Sequence, residues 1–171
     1  MSDVPVDIDL YVNTSQQLSQ AIEGLTEEDL RWKGTPTQWS VTEVLAHLVD
    51  HSIIVSFRIK EILSGSEVRL PSFKQDEWVA SQKSNEGKAS ELLHIFGALL
   101  HYNSLLFRRL ELEDWAKTAI NAKGDVVTLS DIIHAFISHV QTHLSQIARI
   151  KNGVIGSVES SCVIGTTTKN S

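Results

Sequence analysis

Four long stretches of this chain repeat apolar residues at three- and four-residue intervals, and none sustains a two-residue alternation. That periodicity commits the chain to helices that each bury one stripe. The first stretch runs roughly from Asp7 to Gly24, with Leu10, Leu18, Ile22 and Leu25 on one side and Gly24 as its stop. A short turn at TEEDL follows. The second stretch begins at Ser40, where Ser40 and Glu43 form an S-x-x-E capping box, and it ends at Ser64-Gly65. The third spans about Ser90 to Leu112 and carries Leu92, Leu93, Phe96, Leu99, Leu100, Leu106 and Leu110. After a loop through Trp115 and KGD, Thr128 and Asp131 open the fourth stretch, which runs to about Lys151.

Between the second and third helices lies a polar connection from Ser66 to Lys88, with Pro71 and a short helix at DEWVASQK. A connection of that length between helices is unusual and often functional. The pattern predicts an all-α four-helix bundle over residues 1–151, with a polar tail, 152–171, that is loosely ordered.

A chain of 171 residues is most simply one domain around one core. Its formal net charge of −6 opposes nucleic-acid binding, which needs a basic face. No apolar run approaches the length of a spanning helix, and MSDVPVDIDLYVN lacks the basic-then-apolar form of a signal peptide. A cytoplasmic location is the expectation. The single cysteine, Cys162, cannot form an internal disulfide or a cysteine-based zinc site, so any metal must be held by imidazole and carboxylate.

Candidate ligands are present. His139 and His143, in SHVQTHLSQI, lie one helical turn apart and project from one face. Two neutral imidazoles held that way can chelate a transition ion such as zinc, nickel or iron(II). His143 falls inside the apolar arc of the fourth helix and His139 at its edge, whereas His134 lies on the polar side and is expected in solvent. On the second helix His47 and His51 both lie near the core direction, and the helical wheel does not choose between them. His94 and His101 share a face of the third helix beside Leu93 and Leu100, which suggests packing. Glu43 is explained as a cap, Asp50 points away from the apolar face toward solvent, and Trp78 and Trp115 read as packing anchors. HExxH is absent, since residue 140 is Val.

The motifs WSVTEVLAHL, DEWVASQ, EDWAKTA and GDVVTLSDIIHAFISHVQTHLSQI, in that order, resemble the DinB/YfiT-like superfamily. The resemblance covers most of the chain before the tail. It implies a four-helix bundle with an unusual connection, and a metal site built from one histidine of the second helix and an HxxxH pair of the last. Carried over, His47, His139 and His143 are the metal ligands. The metal would be zinc, nickel, iron or manganese. Some members of that superfamily are transferases or isomerases using low-molecular-weight thiols such as bacillithiol or mycothiol, and others look like hydrolases. The founding name reflects induction by DNA damage, a stress-response setting rather than DNA binding. The leading expectation is a metal-dependent enzyme that activates a small thiol for transfer to an electrophile. Its rivals are a metal-dependent hydrolase and a non-catalytic metal- or small-molecule-binding protein. In that last case His51 is the first residue to examine as a closing fourth ligand. A small-molecule substrate is implied, and the apolar helix faces could also support a homodimer.

Overall fold

The computed structural model describes residues 4–164. Four long helices form the bundle: α1 (Ile8–Ala21), α3 (Val41–Leu63), α5 (Ala89–Phe107) and α7 (Leu129–Ile164). Shorter helices, α2 (Glu27–Arg31), α4 (Gln75–Ser81) and α6 (Leu112–Trp115), sit in the connections. Both α1 and α3 pack against α5 and α7, so α1 faces α3 across the diagonal of the bundle. Consecutive long helices are therefore not always neighbours, which separates this bundle from a simple up-down-up-down arrangement.

The caps form as the sequence implies. Ser40 Oγ accepts from Glu43 N–H at 3.1 Å, and the Glu43 carboxylate accepts from Ser40 N–H at 2.9 Å. Thr128 and Asp131 make the same reciprocal pair at 3.1 and 2.8 Å. Each such cap satisfies otherwise orphan amides and contributes about 1 kcal/mol. Past α3, Gly65 takes φ +71°, a left-handed conformation that glycine adopts without a Cβ penalty.

Three differences from the sequence expectation matter. TEEDL forms a full helical turn, closed by a capping box between Thr26 and Asp29. The segment before α7 holds a β-hairpin, β1 (Thr118–Ile120) with β2 (Val126–Thr128), paired antiparallel with Thr118 opposite Thr128. Strands of three residues are too short to show a period, and Gly124 at φ +94° makes their turn. The long connection joins this hairpin through Leu70 N–H to Ile120 O at 2.8 Å. Finally, α7 continues beyond Lys151. Val154 is buried like Ile147, beyond the partly buried Ile150, and Gly153 has room only for hydrogen because Trp32 would lie 2.9 Å from a Cβ there. The expected loose end GTTTKNS lies outside the described residues.

The core is continuous across all four long helices, with Tyr11, Phe96, Phe107 and Phe136 at its centre. From Val41 to Asp50 every residue of α3 is buried, because α2, α4 and a 3₁₀ turn at Ser84–Glu86 cover the side that the bundle does not. Among the described residues no helix is long and apolar enough to cross a membrane.

Candidate metal centre

His47 stands on the first half of α3, inside the run of that helix buried on every side. His139 and His143 stand on α7, which packs directly against α3. Helix packing thus brings together residues 92 positions apart: His47 Nε2 lies 2.9 Å from His139 Nε2. His143 Nε2 lies 3.1 Å from the same His139 atom. One nitrogen from each ring falls within 4.8 Å of the others, and among the described residues this is the group able to hold a metal ion. His51 is not part of it.

Elementary hydrogen-bond counting shows why this cluster is unlike ordinary core packing. His143 Nδ1 sits 2.7 Å from Gln146 Oε1, an acceptor, so Nδ1 carries the proton and Nε2 presents a lone pair. A neutral His139 then has one Nε2 proton at most for its two neighbours. If it donates to His143 it has no in-plane lone pair left to accept from His47; if it accepts from His47, His143 receives nothing. The buried His47 Nδ1 has no partner either. With three neutral rings, this set of contacts cannot be fully satisfied by protons alone. A single cation would satisfy all three lone pairs, and separations of 2.9 and 3.1 Å are within reach of one ion bonded at about 2.0–2.1 Å to each nitrogen.

Electrostatics points the same way. Burial, and then the neighbouring imidazoles, push His47 down to about 3, and the same causes push His139 down to about 4. Burial also lowers His143, opposed by its bond to Gln146. At neutral pH the rings are neutral, the form that ligates metals.

Aromatic side chains enclose the cluster. Trp39 stacks on His143 with ring centroids 6.4 Å apart and packs on His47 at 5.1 Å. Phe73, from the long connection, stacks over His47 at 5.9 Å and is backed by Trp78 at 5.1 Å. His51 lies flat on Phe136, 5.6 Å away and nearly parallel, with its Nδ1 buried and unpartnered. Two cavities meet the cluster from different sides. One, of ≈ 590 Å³, reaches His143 between Trp32, Trp39 and Arg149. The other, of ≈ 510 Å³, reaches His139 past His51 and Arg58.

Other sequence readings divide. His134 is exposed, as expected. His94 and His101 are also exposed rather than packed, because α5 turns that face outward. Asp50 is buried, contrary to expectation: the connection folds over it and Gln82 Nε2–H donates to its carboxylate at 3.1 Å. Burial raises its pKa. Glu43 is the cap expected, and it also pairs with Lys33 at 3.0 Å. Trp115 is a core anchor against Phe107, whereas Trp78 supports Phe73 beside the histidines. Sequence reasoning missed Trp39, Phe73, Gln146 and Arg58. Gln146 was within reach, three residues beyond His143 on the same helix face.

Residues 10–147 match the model of the DinB superfamily. A protein of Oceanobacillus iheyensis named a putative metal-dependent hydrolase is 20% identical over 140 residues, covering 82% of this chain and 79% of the relative. YfiT from Bacillus subtilis, described as a probable metal-dependent hydrolase with an unusual four-helix bundle topology, superposes with a TM-score of 0.78. It is 20% identical, over 85% of this chain and 83% of its own. The mycothiol-dependent maleylpyruvate isomerase superposes with a TM-score of 0.64 at 14% identity, over 82% of this chain; only 58% of that longer chain is covered. These likenesses agree on the fold, and the sequence match over most of the length identifies the chain as a member of the DinB superfamily.

Proposed function

We propose that this protein is a divalent-metal enzyme in which His47, His139 and His143 hold the ion, and that it activates a small thiol for transfer to an electrophile. The observation that carries the reading is three imidazole nitrogens, two on buried rings and one on the half-buried His139, incompletely satisfied among themselves, with one cavity reaching His143 and another reaching His139. Two separate approaches suit a reaction of two substrates. A divalent ion held there would supply Lewis acidity, favouring the deprotonated form of a thiol or of water.

The chain's own residues do the rest. Burial keeps the rings neutral, so no proton has to be displaced near pH 7. Gln146 fixes the tautomer of His143 and aims its Nε2 at the cluster. Trp39 stacks on His143 and Phe73 on His47, shielding those ring faces. His51 lies outside the ligating group, which favours a site with open positions over a closed structural one. A cytoplasmic location is part of this proposal, because small thiols are kept reduced there.

Hydrolysis is the second reading, favoured by relatives named as metal-dependent hydrolases. One experiment separates the two. Protein loaded with zinc, nickel, iron(II) or manganese is offered cysteine, bacillithiol or mycothiol together with monochlorobimane, and in parallel a panel of activated esters and amides. Metal-dependent consumption of a thiol, lost in His139→Ala/His143→Ala, is the expected result. Ester or amide cleavage without thiol consumption would replace transfer by hydrolysis.

A further inference from the structure

The cavity that reaches His139 contains a cation without a carboxylate partner. Arg58 lies on α3, two turns beyond His51, and helix geometry tilts its side chain back toward His51. Its Nη2–H donates to Pro71 O at 2.6 Å, which fixes the guanidinium against the long connection. Its Nε is buried and has no hydrogen-bond partner. Among the described residues the ion pairs join other cations, and none involves Arg58. A half-buried guanidinium with no counterion is costly, and burial works against its charge. The carboxylates that line the same cavity are committed elsewhere: Asp131 caps α7 through Thr128, and Asp125 accepts from Asn121. Both stand at the exposed rim beside Lys123. The same cavity is lined on its apolar side by Val55, Leu70 and Phe136.

We infer that Arg58 is a specificity-determining residue, binding the carboxylate of a small substrate whose hydrocarbon part lies on this apolar wall and whose reacting end reaches the histidines. A monoanion is matched by one guanidinium, and a guanidinium fork fits a carboxylate in particular. A dianionic phosphate would need a second cation, and Lys123, the other one lining this cavity, stands at the exposed rim with Asp125 and Asp131. The assignment of the reacting end rests on the proposed metal chemistry; the anion site itself does not.

The test therefore uses wild-type protein stripped of metal by chelator and dialysed, so that a carboxylate cannot bind through an ion. Binding of hexanoate, its neutral isostere hexanamide and inorganic phosphate is measured by calorimetry or by protein NMR shifts. Hexanoate is expected to bind at least tenfold more tightly than hexanamide and than phosphate. Arg58→Gln should erase the preference over hexanamide, and Arg58→Lys should restore it in part. Equal binding of hexanoate and hexanamide to the wild type would overturn the inference without any variant. Tighter binding of phosphate would overturn the choice of carboxylate. Metal uptake, measured on the same samples, keeps the two readings separate. An Arg58-dependent hexanoate preference in a protein that takes up no metal would sink the metal chemistry and leave the anion site standing.

Discussion

Around Asn103 and around His139 the same bundle buries polar side chains, but only around Asn103 does every side chain of the network pair a donor with an acceptor. Asn103 Nδ2 donates to Tyr11 Oη at 3.1 Å and to Ser56 Oγ at 2.8 Å, and its Oδ1 accepts from Ser56 at 3.3 Å. That network ties α1, α3 and α5 together, and each of its side chains has a hydrogen-bond partner. At the histidines three ring nitrogens converge in contacts that the protons of neutral rings cannot all satisfy, and the buried His47 Nδ1 goes unmet. A polar cluster that closes on itself fixes the core; one that cannot close asks for a further partner.

That contrast makes the two clusters separable by mutation. The largest effect is expected at the histidines: His139→Ala/His143→Ala should lose all tightly bound metal while remaining folded by circular dichroism. Retention of stoichiometric metal would mean the ion sits elsewhere. A smaller effect is expected one step out. Gln146→Leu leaves His143 free to protonate at either nitrogen and should weaken metal binding about 10- to 100-fold in a chelator competition. Asn103→Ala should do the opposite of both. By leaving Tyr11 and Ser56 unpartnered it should cost about 1–3 kcal/mol in urea unfolding, with metal affinity unchanged. If Asn103→Ala released the metal, the two clusters would not be independent.

The smallest effect is a slope. His47 and His139, held at about 3 and about 4, bind protons more readily in the unfolded chain, where the ordinary value is 6.5. Their contribution to stability is therefore full above about pH 6.5 and is lost as pH falls toward 4 and then 3. Urea midpoints of the metal-free protein should decline across that window, and less steeply in His47→Phe. A parallel decline in the variant would show that other groups govern acid unfolding.

Much of this was legible in the sequence because helices announce themselves. The caps at Ser40 and Thr128, the apolar stripes and the HxxxH spacing are local, and they survived folding nearly unchanged. What was illegible depends on long-range packing. The helical wheel left His47 and His51 equivalent; α7 distinguishes them by where it crosses α3, meeting His47 nitrogen to nitrogen, whereas His51 lies against the His139 ring at 4.1 Å and Phe136 at 5.6 Å without joining the ligating group. Asp50 read as solvated because its own helix cannot show that α4 and the long connection cover it. The hairpin escaped because three-residue strands carry no measurable period. Arg58 carries no local signal of its role, since its contact with Pro71 and its unpartnered Nε arise only when the long connection folds over α3.

The most direct test of the account is X-ray absorption spectroscopy of the zinc- or nickel-loaded protein, repeated after adding cysteine. Three imidazole nitrogens at about 2.0–2.1 Å plus one or more exchangeable oxygens, with sulfur entering at about 2.3 Å on addition of the thiol, is the result expected. Four imidazoles with no exchangeable ligand would identify a closed structural site, bring His51 into the first coordination sphere and contradict the proposed chemistry.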